Sequence, residues 1–295
     1  MRWTPGGRSK NLEDRRGASS GGGGGGGFGL GGGGGFGGGR LGLGGIVILI
    51  ILSLVFKQDF LGLLGGGEGA SAPAVQEEAP VTDAREEPLV QLVSFVLDST
   101  QSFWRAEFAK EGRPYRDAKL VLFRDATPTA CGTGQSATGP FYCPGDEKVY
   151  IDLAFFDELR QRFKAPGDFA QAYVLAHEIG HHVQNLLGVS DQVHRVQQRA
   201  GEGEANALSV RLELQADCYA GMWGALAARQ GILEAGDTEE GLAAAAAVGD
   251  DRLQKMATGR VSPESWTHGS SAQRMEWFTR GFKASDASAC DTFGR

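Results

Sequence analysis

Positive charge is in short supply in this chain. Its 295 residues carry 29 Lys and Arg against 36 Asp and Glu, a formal net charge of −7. With no basic stripe and no RNA-binding signature, this mild acidity argues against a nucleic-acid partner. Cysteine is scarce as well: Cys131, Cys143, Cys218 and Cys290 are all there is, with no C-x₂-C spacing among them. That argues against a zinc–cysteine site. An even number of cysteines outside the cytoplasm suggests disulfides instead. Three pairings are open. Cys131 and Cys143 flank one loop and make the first choice; Cys218 with Cys290 would then tie the C-terminus to a helix. Long apolar runs are lacking save one, and of the five histidines three fall between His177 and His182.

Glycine, by contrast, is abundant and uneven. Of 47 glycines, 19 lie in the 25 residues from Gly21 to Gly45. Such a tract cannot bury a core and reads as a flexible linker. The single apolar run follows it: Leu41–Phe56 is 16 residues without a charge. A spanning helix wants about 20 apolar residues, down to about 17, so a span is feasible if Arg40 and Lys57 snorkel. A buried core helix would show polar positions that this run lacks. A cleaved signal peptide would explain Ala70-Ser71-Ala72, but that site lies 14 residues beyond Phe56, and about 40 residues precede the run, too many for an ordinary signal.

These features divide the chain into a basic and Gly-rich cytoplasmic segment (1–40), a transmembrane helix (41–56), a flexible stalk rich in Gly, Ala, Pro and Glu (57–88) and a globular domain (89–295). Six Arg and Lys precede the run, whereas Lys57 is alone after it until Arg85. The positive-inside rule then puts the N-terminus in the cytoplasm and the domain outside the cell membrane, as a single-pass protein held in the lipid bilayer through 41–56. Within the domain the pattern predicts a helix over 89–110, strands over 119–124 and 148–153, a loop over 131–143, a polar stretch over 190–204, and helices over 205–230, 241–256 and 270–282. Residues 149–153 are a candidate for a sheet edge that pairs with an extended peptide, or else an ordinary core strand.

The chemistry concentrates in Ala176-His177-Glu178-Ile179-Gly180-His181-His182. His177 and His181, four apart, share one face of a helix and can hold one Zn²⁺. Glu178 points beside the metal, where it can take a proton from a metal-bound water. Asp168 is a candidate N-cap and Gly188 marks the end. A catalytic zinc takes three protein ligands. Glu213, on the apolar helix that contains Leu212-Glu213-Leu214-Gln215-Ala216-Asp217, is the candidate third ligand. Asp217, one turn on, is placed to accept the free N–H of a ligating histidine. His182 and His194 lack a phase that points at the metal.

H-E-x-x-H followed by E-x-x-x-D resembles the gluzincin metallopeptidases. More narrowly, the chain is similar to the bacterial membrane-anchored neutral zinc metallopeptidases, in Met1–Trp3, Asn11–Gly17, Thr138–Cys143, Ala176–Gln184, Glu213–Cys218, Gly249–Leu253 and Thr267–Arg274. The resemblance implies an α+β zincin-like fold, mostly helical with a small sheet, one zinc and peptide-bond hydrolysis, read here as that of an endopeptidase. In related gluzincins a late histidine and a nearby arginine approach the zinc-bound oxygen. By that likeness His268 would stabilise the oxyanion and Arg274 would hold substrate or a site carboxylate. The alternatives are a zinc-binding envelope interaction module that does not cleave, and a zinc hydrolase of another class. A peptide or protein is the expected substrate; no protein partner is identifiable.

Overall fold

A computed structural model describes residues 1–18 and 83–294. The expected span over 41–56, and most of the stalk, lie outside the described residues, among which no helix is long and apolar enough to cross a membrane. The fold is α+β, mostly helical with a small sheet, as expected.

Four strands form the main sheet: β1 (Leu12–Asp14), β2 (Lys119–Phe123), β5 (Phe141–Cys143) and β6 (Lys148–Asp152), in the order β1-β2-β6-β5. The first three in that order run parallel, and β5 is antiparallel to β6. Strand alternation sorts the side chains. Leu120, Leu122, Val149 and Ile151 join the helical core, while Val121, Phe123, Tyr150 and Cys143 form a second small cluster on the other face. Over that face lies a hairpin of β3 (Ala126–Thr129) and β4 (Gly132–Gln135), tied to β5 by the disulfide Cys131–Cys143. The stretch 131–143 is therefore not a plain loop: it carries two strands and the disulfide.

Eight helices are described: α1 (Glu87–Lys110), α2 (Ala154–Gln161), α3 (Asp168–Leu186), α4 (Val189–Gln197), α5 (Glu202–Arg229), α6 (Asp237–Ala247), α7 (Asp250–Thr258) and α8 (Ser271–Lys283). On α1 the buried residues Val90, Val93, Leu97 and Trp104 recur at helical spacing and pack towards α3. Each such side chain, fully buried, stabilises the fold by about 1.5–3 kcal/mol. Helix α3 is buried along most of its length, and α5 crosses it closely enough that a Cβ at Gly180 would sit 3.0 Å from the Ala216 carbonyl oxygen. Helix α8 packs along α5, and Cys218 of α5 is joined to Cys290 beyond α8. Both disulfide pairings expected from the sequence are present.

Three local expectations are corrected. The polar stretch over 190–204 contains α4, held by buried Val189 and Val193. The Ala-rich segment is two helices, because the chain turns at Val248-Gly249; a Cβ at Gly249 would lie 2.4 Å from the Ser271 nitrogen, so the close approach requires glycine. Asp168 is the first residue of α3 rather than its side-chain cap, which is absent at Gly167. Its carboxylate instead accepts from the Met1 ammonium at 2.9 Å.

That last contact belongs to a larger correction. The composition sets residues 1–40 apart from the domain, yet residues 1–18 are built into it. Strand β1 is an edge of the main sheet, with Leu12 opposite Leu120. Arg16 is buried and pairs with Asp14 at 2.6 Å and with Glu86 at 2.5 Å, and Arg8 reaches Glu87 at 2.7 Å. A buried arginine keeps its charge only where acids compensate it, and these acids come from both β1 and the region that opens α1.

Candidate metal centre

Helix α3 presents His177 and His181 one turn apart, with ring centroids 4.8 Å from each other. Helix α5 brings Glu213 to them from the side: its Oε2 is 3.3 Å from Nε2 of His177 and its Oε1 is 3.4 Å from Nε2 of His181. The close approach at Gly180 allows this, since α5 could not otherwise pass so near the metal helix. The outer nitrogen of each ring is engaged elsewhere. Nδ1 of His177 donates to Asp217 at 2.8 Å, and Nδ1 of His181 donates to Gln184 Oε1 at 2.9 Å. Each ring therefore turns its Nε2 towards the other and towards Glu213, with the three ligand atoms within 4.8 Å of one another. Two imidazoles and one carboxylate, with their outer nitrogens fixed, suit Zn²⁺ with one position left open.

The charges are arranged in layers. Asp217 is fully buried and takes Nε and a terminal nitrogen of Arg274 at 2.8 and 2.9 Å, as well as the hydroxyl of Tyr173. Burial works to raise the Asp217 carboxyl, but Arg274 and His177 outweigh it and hold its pKa below the ordinary value. Burial likewise opposes a proton on His177, and Asp217 with Glu213 overcomes it, lifting that pKa to about 10. Glu213 is held as an anion: burial acts against it, and His181 and His177 bring its pKa well down. Glu178 stands apart. It is buried, lies outside the three-donor cluster, and is pushed up by burial. A carboxylate raised in this way is suited to accept and return a proton.

His177, Glu178, His181 and Glu213 line one cavity of about 520 Å³. Its apolar wall includes Phe155, Phe163, Val174 and Leu253, and β5 borders it through Phe141 and Tyr142. The candidate edge strand over 149–153 is corrected here: β6 is paired on both sides, by β2 and β5, and β5 is the edge. His268 also lines the cavity, 41% exposed, with Nδ1 3.1 Å from Asp250 Oδ1. Asp250 further accepts from the backbone nitrogens of Thr267, His268 and Gly269, so one carboxylate shapes the loop and orients the ring.

The structure thus brings together His177, Glu178, His181, Glu213, Asp217 and Arg274, with His268 at the cavity wall. Arg274 lines the cavity and holds a site carboxylate, Asp217. His182 lies off the metal, as its phase predicts: Nδ1 accepts from Tyr142 and Nε2 donates to the Arg116 carbonyl. His194 lies outside the cavity lining, its Nε2 3.1 Å from Gln198 Nε2. Sequence reasoning missed Gln184, Tyr173 and Asp250. Gln184 had a signal, since it lies three residues after His181 on one helical face. Asp250 had a weaker one, an acid directly after Gly249.

A family model described as "Putative neutral zinc metallopeptidase" matches residues 1–293. The chain is 46% identical over 297 residues to the protein named "Uncharacterized protein YpfJ" of Escherichia coli (strain K12), covering 100% of this chain and 99% of that protein. It is 47% identical over 207 residues to "Uncharacterized protein Rv2575" of Mycobacterium tuberculosis (strain ATCC 25618 / H37Rv), covering 66% of this chain and 68% of that one. No solved structure matches the chain.

Proposed function

The chain belongs to the neutral zinc metallopeptidase family, and from that premise we propose that it is a membrane-anchored, zinc-dependent peptidase of zincin-like fold. The observation that carries the reading is the position of Glu178: buried in the same cavity as three convergent metal donors, yet not one of them. A structural zinc site has no use for a raised carboxylate held beside its ligands.

His177, His181 and Glu213 would hold Zn²⁺, which when bound supplies Lewis acidity to the scissile carbonyl and to water. Glu178 takes the proton of the attacking water on its carboxylate and passes it to the leaving amine nitrogen. His268, kept in place and protonated by Asp250, donates a hydrogen bond to the oxygen of the tetrahedral centre. Asp217, held by Arg274, orients His177. The free edge of β5 offers backbone groups to an extended peptide, with β5 antiparallel to the strand behind it. The apolar wall of the cavity would take a substrate side chain. The two disulfides support an extracytoplasmic domain, and residues 41–56 would attach it to the bilayer of a bacterial envelope.

The test is a peptide-library digest with the full chain, wild type against Glu178→Gln, with zinc measured in both. The expected result is cleavage by the wild type only, at equal zinc content. Zinc in both and cleavage by neither would leave a binding module; cleavage by both would remove Glu178 from the chemistry.

A further inference from the structure

The two ligand histidines are held in different ways. His177 donates its outer N–H to a carboxylate, Asp217, which can only accept. His181 donates to Gln184, an amide. An amide has an accepting end and a donating end of nearly equal size. Turned round, Gln184 would donate to Nδ1 of His181, place the ring hydrogen on Nε2, and leave no lone pair for a metal. Something must fix which end faces the histidine.

The far end of Gln184 supplies the answer. Its Nε2 donates to the Leu212 carbonyl at 2.7 Å and to Gln215 Oε1 at 3.1 Å. Nε2 of Gln215 in turn donates to the Cys290 carbonyl at 3.0 Å. Both terminal acceptors are backbone carbonyls, which cannot donate. The row therefore has one polarity, with every donor aimed away from the metal. Gln184 is 0% and Gln215 5% exposed, so water does not substitute for any member. Reversing either amide would set like ends against each other in a buried place, at the cost of an unsatisfied donor or acceptor. The Cys290 carbonyl is held in turn by the disulfide to Cys218. Cys218 lies three residues after Gln215 on α5 and therefore on its side of the helix.

We propose that this amide relay, running from the Cys290 carbonyl through Gln215 and Gln184, fixes His181 with its hydrogen on Nδ1, and that the Cys218–Cys290 disulfide secures the far end of the relay and thereby the affinity for metal. Gln184 and Gln215 are positioning residues, acting through His181. The inference rests on His181 being a zinc ligand, as read above, but not on peptide cleavage.

Two measurements on the full chain test it. Nitrogen-15 correlation spectra of the histidine side chains, recorded without metal and at a pH high enough to leave the ring neutral, report which nitrogen of His181 carries the hydrogen. Competition with a chromophoric chelator reports zinc affinity. The wild type is expected to show the Nδ1–H form. Gln184→Met, which keeps the side-chain length, is expected to lose that preference and to weaken zinc by about 10–100-fold. Gln215→Met should shift both readouts the same way by less, because the Leu212 carbonyl still holds Gln184. Replacing both Cys218 and Cys290 by alanine should weaken zinc, whereas replacing both Cys131 and Cys143 should not, which separates the relay from general loss of stability. A Gln184→Met protein that keeps the Nδ1–H form and wild-type zinc affinity overturns the relay. Unchanged zinc affinity without Cys218 and Cys290 overturns the part assigned to the disulfide. A wild type that binds no zinc removes the ligand reading itself, a different outcome from either.

Discussion

Arg274 and Asp217 meet in a two-point ion pair, Nε to Oδ2 at 2.8 Å and a terminal nitrogen to Oδ1 at 2.9 Å, with side chains 3% and 0% exposed. The pair joins α8 to α5 directly behind His177. Breaking such a buried pair by removing one partner typically costs about 3–5 kcal/mol, because the other charge is left uncompensated. Arg274→Met should therefore lower the stability of the domain by about that amount, read from chemical denaturation. It should also raise the Asp217 carboxyl, since burial then acts unopposed by the guanidinium. A loss under 1 kcal/mol would mean that Asp217 is compensated by His177 alone.

Metal content should distinguish the carboxylates. Glu213→Ala removes one of three donors and should lower zinc affinity strongly, whereas Asp217→Asn, which removes only the partner of an outer nitrogen, should lower it by about 10–100-fold. Chelator competition measures both. Stoichiometric zinc at unchanged affinity in Glu213→Ala would make Asp217 the next candidate ligand, one helical turn along.

Gly180 offers a purely steric test. Its missing Cβ is what lets the backbone of α5 come near, at 3.0 Å to the Ala216 carbonyl oxygen. Gly180→Ala adds one methyl against backbone that cannot swing aside, and overpacking of this kind costs about 1–3 kcal/mol. The displacement acts on α5 one turn from Glu213, so zinc affinity should fall together with stability. A variant with lower stability and intact zinc affinity would show that α5 yields elsewhere.

The His268–Asp250 pair sets a pH dependence. Burial opposes the proton on His268, and the bond to Asp250 more than restores it, so its pKa lies above the usual 6.5. A group raised on folding contributes stability that is complete below its unfolded value, here about 6.5, and that is lost as pH rises through the folded value. The protonated ring is also the form that donates to the oxyanion. The basic limb of the rate profile should accordingly sit above 6.5 in the wild type and move down in Asp250→Asn. His268→Ala should abolish that limb and slow turnover by about 10²–10³ at unchanged zinc. A basic limb that stays in place in Asp250→Asn would assign it to another group.

The candidate metal centre was legible in the sequence because its parts are local. Two histidines and a glutamate within five residues, and E-x-x-x-D on a second helix, need only helical periodicity to be set on common faces. What was not legible depends on partners distant in the chain. Strand β5 has three residues, too few for alternation to show, and is an edge only because β6 pairs with β2 on its other side. The break between α6 and α7 comes from the contact of Gly249 with Ser271, and an Ala-rich run gives no warning of it. The direction of Gln184 is decided by Leu212 and Gln215, about 30 residues on, which no local pattern encodes.

The position of β1 has a consequence for how the chain meets a membrane. The described chain leaves the fold at residue 18 and returns at residue 83, and both ends belong to one hydrogen-bonded body. Held in one body, residues 1–18 and the domain belong on one side of any bilayer the chain meets. The charge count puts residues 1–40 and the domain on opposite faces. Yet the charges behind that count are largely committed within the fold: Arg2 to Glu234, Arg8 to Glu87, Arg15 to Glu13 and Arg16 to Glu86. The pairing of β1 with β2 predicts that single cysteines introduced at exposed positions in residues 1–18 and in the domain react with a membrane-impermeant thiol reagent from the same side. Labelling from opposite sides would instead mean that β1 leaves the sheet in the membrane-bound protein.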